Sequence, residues 1–133
     1  GGGYFTCLML TKNGSRFKAG VSVAPVTDFR LYDSIFTERY MGFPKNNVAG
    51  YDSTSVLSYV DNIQGHLLVI HATGDDNVHS QNSTQLAEKF INAGKPLDVF
   101  YYPNRYHGIR GGNSRLHLYT KMYEFFNRHL LEK

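Results

Sequence analysis

Two short segments hold side chains that could move protons during bond cleavage. Residues 71–79 read HATGDDNVH and contain an acidic pair, Asp75 and Asp76. Farther along the chain, residues 105–108 read RYHG, with His107 directly before a glycine. A carboxylate that holds one ring nitrogen of a histidine fixes its tautomer, so the other nitrogen can take a proton from a nucleophilic hydroxyl. The two segments therefore predict the acid and the base of a nucleophilic hydrolase, in the order acid then base.

Each segment also has a purely structural interpretation. A run such as Asp75-Asp76-Asn77 is typical of an Asx turn, or of a helix N-cap before a helix that begins near Ser80. His107 could equally be a loop histidine that hydrogen-bonds to backbone. Spacing alone does not decide between these interpretations, nor which of the two carboxylates would face the histidine.

The elements around these segments alternate between helix and strand. Hydrophobic periodicity and stop signals predict helices over 4–12, 80–93 and 114–133, and strands over 18–24, 67–71 and 97–102. The stretch 28–62 fits neither pattern and is predicted as loops with short helices. The alternation predicts an α/β fold of about three parallel strands with flanking helices. Because parallel strands present ligand sites at their carboxyl ends, we expect Asp75 and His107 to meet at one sheet edge.

Three apolar patterns predict what the core contains. The run 67–71 is continuous, as in a strand that is buried on both faces. The single cysteine, Cys7, lies in a hydrophobic helix without a cysteine-protease signature, which favours core packing over a role as nucleophile. Near the end of the chain, apolar residues recur every four positions and predict an amphipathic closing helix, at Leu118, Met122, Phe126 and Leu130.

Three motifs in this order resemble the catalytic domain of the prolyl oligopeptidase family of serine peptidases, in particular its dipeptidyl peptidase branch. They are YDSIFTERYMG at 32–42, HATGDDNVH at 71–79 and HGI at 107–109. The resemblance spans essentially the whole chain. Residues 2–4 are also similar to the end of the turn Gly-x-Ser-Tyr-Gly-Gly-Tyr, which carries the nucleophile in that family. Gly1 stands where the family has an aromatic residue.

The resemblance implies a domain arrangement and a catalytic pair. Residues 1–133 would be the C-terminal portion of an α/β-hydrolase catalytic domain. The nucleophile-bearing half and a β-propeller would lie upstream in the parent protein. Asp75, rather than Asp76, would be the triad acid, and His107 would be the general base.

The resemblance also implies a substrate pocket. Apolar and aromatic side chains would enclose the proline ring of the substrate, namely Val26, Phe29, Tyr32, Phe36 and Val78. Asn77 would contact the substrate carbonyl that precedes the proline. The family often has Trp at position 29 and Tyr at position 36. Because a phenylalanine at position 36 lacks the hydroxyl, we expect a shift in substrate preference.

The implied reaction is release of N-terminal dipeptides from peptide substrates with Pro, or less efficiently Ala, in second position. It proceeds by acyl transfer through a serine and needs no cofactor. Without that serine, the 133-residue chain alone is predicted to be inactive. The unpaired edge of the strand at 18–24 predicts a homo-oligomer. The family resemblance implies a periplasmic, secreted or membrane-anchored location.

Composition argues against several other functions. The formal charge of +3 is spread along the chain without a basic run, which argues against a nucleic-acid partner. His71 and His79 lack a recognised ligand spacing, so no metal site is predicted, and His71 is expected to be a buried, hydrogen-bonded histidine. No apolar stretch reaches the roughly 20 residues of a membrane span, and no signal peptide opens the sequence.

Two alternatives to the dipeptidyl peptidase stay open. Another α/β-hydrolase, such as an acylaminoacyl peptidase or an esterase, would share the Asp and His loops but should lack the motif at 32–42. A non-catalytic pseudoenzyme or interaction domain would keep the fold with another residue in place of the serine. A Gly-x-Ser-Tyr sequence immediately before Gly2 would indicate the enzyme, whereas another residue in place of that serine would indicate the pseudoenzyme.

Overall fold

The computed structural model describes residues 1–131. In chain order its helices and strands are α1 Gly2–Lys12, β1 Ala19–Val23, α2 Ser34–Met41, α3 Val48–Thr54, β2 His66–Ala72, α4 Gln81–Asn92, β3 Asp98–Tyr102 and α5 Ser114–Phe126. A π-helical turn, Asn127–Leu131, continues α5. The predicted alternation of helix and strand is confirmed, with shifts only at the ends of elements. The last two positions of the predicted closing helix, 132–133, lie outside the described residues.

The three strands form one parallel sheet in the order β1-β2-β3. Val21 of β1 pairs with Leu68 of β2, and Ile70 of β2 pairs with Phe100 of β3. Since β2 is the central strand, the segments that follow β2 and β3 leave the sheet side by side at the same edge. The predicted α/β class with three parallel strands and flanking helices is therefore confirmed.

Helices cover both faces of the sheet. Because side chains of a strand alternate between faces, Leu67 and Val69 point to one side and Leu68 and Ile70 to the other. The first side packs against α1, α4 and the 3₁₀ segment Val56–Asn62, with core residues Cys7, Leu10, Val56, Val60, Ile63, Leu86 and Phe90. The second side packs against α5, with core residues Tyr102, Ile109, Leu118 and Phe125. The prediction that β2 is buried on both faces is confirmed.

The predicted buried stripe of α5 is partly wrong. Leu118 is buried, and Met122 and Phe126 pack partly buried against the same core, but Leu130 is 45% exposed, and the second fully packed side chain of the helix is Phe125. A four-residue step overshoots the 3.6-residue turn, so a stripe read at that spacing rotates away from the sheet within three steps. Phe125 lies seven residues after Leu118, close to two full turns, and so returns to the face of Leu118.

Cys7 is part of the core, as predicted, and has no exposed surface. Its thiol donates a hydrogen bond to Ser22 Oγ at 3.1 Å. Burial raises the pKa of the Cys7 thiol to about 12, although the bond to Ser22 lowers it. A thiol that stays protonated at neutral pH is a poor nucleophile, which agrees with a packing role. Among residues 1–131, no helix combines the length and apolar character needed to cross a bilayer.

Candidate active site

The loops after β2 and β3 run side by side and carry the two predicted catalytic side chains. Beyond the strand ends, the amide of Thr73 donates to the carbonyl of Tyr102 at 3.0 Å. The amide of Gly74 then donates to the carbonyl of Arg105, also at 3.0 Å. A Cβ at position 74 would lie 3.0 Å from that same carbonyl oxygen, so the close approach of the loops favours glycine there. These bonds hold the two loops in a fixed register.

Asp75 and His107 are in direct contact. Asp75 Oδ2 lies 2.8 Å from His107 Nδ1, and Asp75 is only 4% exposed. Its second oxygen, Oδ1, accepts from the backbone amides of Asn77 at 3.0 Å and Val78 at 2.8 Å. The structural and the catalytic interpretations of this segment are therefore compatible, because one oxygen closes an Asx turn while the other holds the imidazole. Asp76 is exposed and makes no hydrogen bond to the histidine.

The tautomer of His107 follows from this contact. An ionised carboxylate can only accept, so Nδ1 carries the proton and Nε2 of the neutral ring has a free lone pair. The side chain of His107 is 45% exposed, whereas that of Asp75 has no exposed surface. The imidazole can therefore reach a substrate or a hydroxyl while its carboxylate partner is shielded from water. Among residues 1–131, no serine hydroxyl is hydrogen-bonded to Nε2 of His107.

One open cavity of about 840 Å³ brings the predicted substrate-binding residues together. Its lining includes His107 and all six predicted residues, namely Val26, Phe29, Tyr32, Phe36, Asn77 and Val78. The rings of Tyr32 and Phe36 meet edge to face, with centroids 5.6 Å apart. Sequence reasoning did not predict that Tyr4 and residues 1–3 line the same cavity, nor that the Tyr4 ring lies 5.1 Å from the Phe29 ring.

The amide of Asn77 is oriented by Tyr32. The Tyr32 hydroxyl donates to Asn77 Oδ1 at 3.1 Å. Because the oxygen is occupied by this bond, the two N–H donors of the amide are available for an acceptor in the cavity. A peptide carbonyl is such an acceptor. The burial and the nearby carboxylates Asp33 and Asp75 raise the pKa of the Tyr32 hydroxyl, so it stays a protonated donor at neutral pH.

Segment 26–32 carries part of the pocket and is tied to helix α4. The backbone amide of Thr27 donates to Asn82 Oδ1, and the Thr27 hydroxyl donates to the Asn82 carbonyl, both at 2.9 Å. Both residues have no exposed surface. Sequence reasoning missed this pair, since two small polar residues far apart in the chain leave no periodic signal. The only indication of this pair in the sequence is that polar residues occur near the predicted pocket positions.

Three carboxylates bond to the outer part of this segment and to the start of α2. Asp28 accepts the backbone amide of Arg30 at 2.8 Å and so caps the short turn that places Phe29. The guanidinium of Arg30 then bridges Asp28 at 3.1 Å and Asp52 at 2.6 Å. At the start of α2, Asp33 accepts the amide of Phe36 at 2.8 Å. Phe29 and Phe36 therefore each lie in the first turn after a side-chain cap.

His71 is a buried histidine with both ring nitrogens bonded, as the sequence predicted. It has no exposed surface, and its Nδ1 and Nε2 lie 2.6 Å from Ser83 Oγ and 2.7 Å from the Val78 carbonyl. Desolvation by burial lowers the pKa of His71 and outweighs the opposing effect of Asp75, so the ring is neutral at pH 7. Within residues 1–131, no group of three or more His, Cys, Asp or Glu side chains is arranged to hold a metal ion.

Known proteins resemble this chain along nearly all of its length. Dipeptidyl peptidase 4 of Felis catus is 40% identical over 96% of the chain, and dipeptidyl aminopeptidase B of Saccharomyces cerevisiae is 43% identical over the same share. A crystal structure of Porphyromonas gingivalis dipeptidyl peptidase 4 superimposes with a TM-score of 0.93 at 44% identity, covering 96% of the chain. That similarity confirms the predicted α/β-hydrolase class. The chain spans only 17%, 16% and 18% of these relatives, respectively.

The family model that matches this chain is described as the prolyl oligopeptidase family and covers residues 1–133. Together with relatives that are 40% identical or more, this match shows that the chain belongs to the prolyl oligopeptidase family.

Proposed function

We propose that these residues supply the acid, the base and the proline pocket of a serine-type dipeptidyl peptidase. The observation that carries the proposal is the contact between buried Asp75 and half-exposed His107 at the rim of an apolar cavity. The enzyme would release N-terminal dipeptides with Pro, or less efficiently Ala, in second position. The names of the relatives, dipeptidyl peptidase and dipeptidyl aminopeptidase, support this reaction class.

In the proposed mechanism, His107 transfers two protons, the serine proton to the leaving amine and then a proton of the attacking water to the serine oxygen. Its Nε2 takes the proton of a serine hydroxyl that residues outside this chain contribute, as the serine oxygen attacks the scissile carbonyl carbon. The imidazolium then gives that proton to the leaving amine, and an acyl ester with the serine is formed. Water attacks the ester with His107 again as base, and proton return to the serine releases the dipeptide. Asp75 stays ionised throughout and stabilises the imidazolium.

The cavity suits a substrate of this kind. Phe29, Tyr32, Phe36 and the aliphatic Val26 and Val78 present apolar surface that would bury a small rigid ring. The amide of Asn77, oriented by Tyr32, would donate to the carbonyl that precedes the proline. An acylaminoacyl peptidase or esterase would need the acid and base but not this aromatic enclosure.

The proposal includes the domain organisation and the behaviour of the isolated chain. Residues 1–133 would be the C-terminal portion of a hydrolase domain whose first half provides the serine and whose parent also carries a β-propeller. On its own, the chain would have no serine that could be acylated beside His107, and it would be inactive. Removal of the nucleophile from a triad leaves only the small rate due to positioning and binding.

A substrate panel tests the reaction. The natural polypeptide that carries these residues, expressed at full length, is expected to cleave Gly-Pro-p-nitroanilide and to lose activity after treatment with a serine-directed phosphonate. N-acetyl-Ala-p-nitroanilide and p-nitrophenyl butyrate are the matched controls for the other hydrolase classes. Faster cleavage of either control substrate than of Gly-Pro-p-nitroanilide would contradict the proposed dipeptidyl peptidase activity. Phosphonate-sensitive cleavage by the 133-residue polypeptide itself would contradict the proposed origin of the nucleophile.

We also propose that the 133-residue polypeptide on its own associates with a second copy. Within the described residues β1 pairs with β2 only, so its outer edge offers unpaired backbone groups. The neighbouring side chain of Phe5 is 61% exposed. Sedimentation equilibrium is expected to give a dimer or larger species, and a monomer at high concentration would contradict this proposal.

A further inference from the structure

His71 touches the turn that joins the acid to the pocket. It lies near the carboxyl end of β2 and its Nε2 is 2.7 Å from the carbonyl oxygen of Val78. The same nitrogen is 3.5 Å from Asp75 Oδ2, the oxygen that faces His107. Val78 also provides a backbone amide to Asp75 Oδ1 and a side chain to the cavity wall. One buried ring therefore contacts both ends of the turn 75–78.

The hydrogen bonds of His71 permit one neutral tautomer. A carbonyl oxygen can only accept, so Nε2 must carry the proton that bonds to Val78. In the neutral ring Nδ1 then has a lone pair, which accepts from the hydroxyl of Ser83 at 2.6 Å. Ser83, on α4, is itself fully buried. The Val78 carbonyl thus selects the tautomer whose N–H points at the acid turn, and the Ser83 hydroxyl holds that ring in place by donating to Nδ1.

We propose that His71 is a positioning residue, whose Nε2–H holds the turn 75–78 so that Asp75 Oδ2 faces His107 and Val78 faces the cavity. The inference rests on the proposed peptidase function and extends it to a group that touches neither substrate nor nucleophile. Asp75 is the residue that the ring positions. The bond to Val78 fixes one end of the turn, and the N–H near Oδ2 places partial positive charge beside the carboxylate.

The charge state of His71 is part of this role. A protonated ring would put a full cation 3.5 Å from Oδ2, where it would compete with His107 for that oxygen. It would also lose the lone pair that accepts from Ser83. Complete burial keeps the ring neutral, since desolvation lowers the pKa of His71. A neutral donor can support the turn without drawing the carboxylate away from the base.

Two substitutions of similar size distinguish the effect of the N–H donor of His71 from the effect of its side-chain volume. His71→Gln keeps an N–H donor on a long side chain, whereas His71→Met has similar length and no donor. In the full-length polypeptide, His71→Met is expected to lower kcat about a hundredfold, because a shift of about 1 Å in a catalytic group costs that much. His71→Gln should recover at least a tenth of the wild-type kcat. Changes in KM should be smaller in both variants, since other elements also wall the pocket.

Val69→Ala is the matched control for lost packing. Val69 is fully buried, lies on the same strand and face as His71, and is not among the residues that line the cavity. It is expected to lower the melting temperature while leaving kcat near the wild-type value. Equal kcat losses in His71→Met and Val69→Ala would overturn the proposal. So would a kcat in His71→Gln no higher than in His71→Met.

Two further measurements keep the test decisive. If His71→Met does not fold, Ser83→Ala removes only the hydroxyl that bonds to Nδ1 and fixes the orientation of the ring, and an unchanged kcat in that variant would overturn the proposal. The NMR resonance of the His107 Nδ1–H reports the contact with Asp75 without any turnover. It should shift or broaden in the folded His71 variants and stay unchanged in Val69→Ala. Failure of the wild-type protein to cleave Gly-Pro substrates would contradict the proposed peptidase function. An unchanged His107 Nδ1–H resonance in the His71 variants would contradict the positioning role of His71.

Discussion

The acid turn 75–78 and the pocket segment 26–32 face the same cavity but are held by different forces. The acid turn is fixed by buried, short-range hydrogen bonds to backbone amides and to the neutral ring of His71. The pocket segment has a buried root, where Thr27 bonds to Asn82, and an outer part tied by the ion pairs of Arg30. In those pairs the side chains are 33% exposed for arginine and 60% exposed for Asp52.

This difference matches what each part would do in the proposed peptidase. A proton transfer requires groups within hydrogen-bond reach, so a small displacement of the carboxylate is costly. A pocket for an apolar ring gains its affinity from buried area, which changes gradually when one wall moves. Salt screens buried interactions much less than it screens exposed ion pairs. The comparison therefore predicts that changes in the acid turn affect kcat and that changes in the pocket segment affect KM.

The largest effect is expected from Asp75→Asn in the full-length polypeptide. An amide cannot hold His107 in the tautomer that leaves Nε2 free, so kcat should fall by about 10⁴-fold. The matched control is Asp76→Asn, which alters the adjacent exposed carboxylate and should leave kcat within a fewfold of wild type. Steady-state kinetics with Gly-Pro-p-nitroanilide measures both. A greater loss in the Asp76 variant would reverse the assignment of the acid.

A smaller effect is expected from Asn82→Ala. The substitution leaves the buried amide of Thr27 without an acceptor, which should cost about 1–3 kcal/mol of unfolding free energy. Since the root of the pocket segment loosens while the hydrogen bonds within the acid turn 75–78 and to His71 are kept, KM should rise more than kcat falls. Asn92→Ala on the same helix is the control, because its amide bonds to Glu88 at the surface. Urea unfolding and kinetics on both variants measure the two effects, and an unaltered KM in Asn82→Ala would contradict the prediction.

The sequence predicted the acid turn better than the pocket segment. The apolar run of β2 followed by polar residues placed Asp75 at a sheet edge, and strand order did the same for His107. The choice of Asp75 over Asp76 depended on family resemblance, because both carboxylates follow the strand and only the three-dimensional turn separates them. The bond between Thr27 and Asn82 was not predictable, since it joins distant loops through single polar atoms and leaves no period in the sequence.

The pH dependence of stability tests the buried state of His71. Burial lowers its pKa in the folded protein, so below about pH 6.5 the unfolded chain binds more protons at this residue than the folded chain does. The stabilisation that comes from the neutral state of His71 is therefore fully present above that pH. It is lost as the pH falls toward the lower pKa that His71 has in the folded protein. Asp75 favours protonation of the ring and His107 opposes it, but desolvation is the largest effect.

Urea unfolding of the wild type and His71→Gln at about pH 7.5 and about pH 5.5 measures this contribution. The wild type should lose more unfolding free energy on acidification than the variant does, because glutamine does not titrate. The remaining histidines titrate in both proteins and cancel in the comparison. Equal losses in the two proteins would contradict a buried, neutral His71 and would weaken the contrast between the acid turn and the pocket segment.

The smallest effect is expected from Arg30→Gln, which removes the ion pairs with Asp28 and Asp52. Partly exposed pairs of this kind contribute less than about 1 kcal/mol, so KM should rise only a fewfold and kcat should stay constant. Because salt screens such pairs, the difference in KM between wild type and variant should shrink at high ionic strength. Arg16→Gln is the control, since it makes the same charge change at an exposed position outside the cavity lining. A salt-independent rise in KM would show that Arg30 shapes the pocket through packing against Tyr51, whose ring lies 5.2 Å from the guanidinium, rather than through its charge.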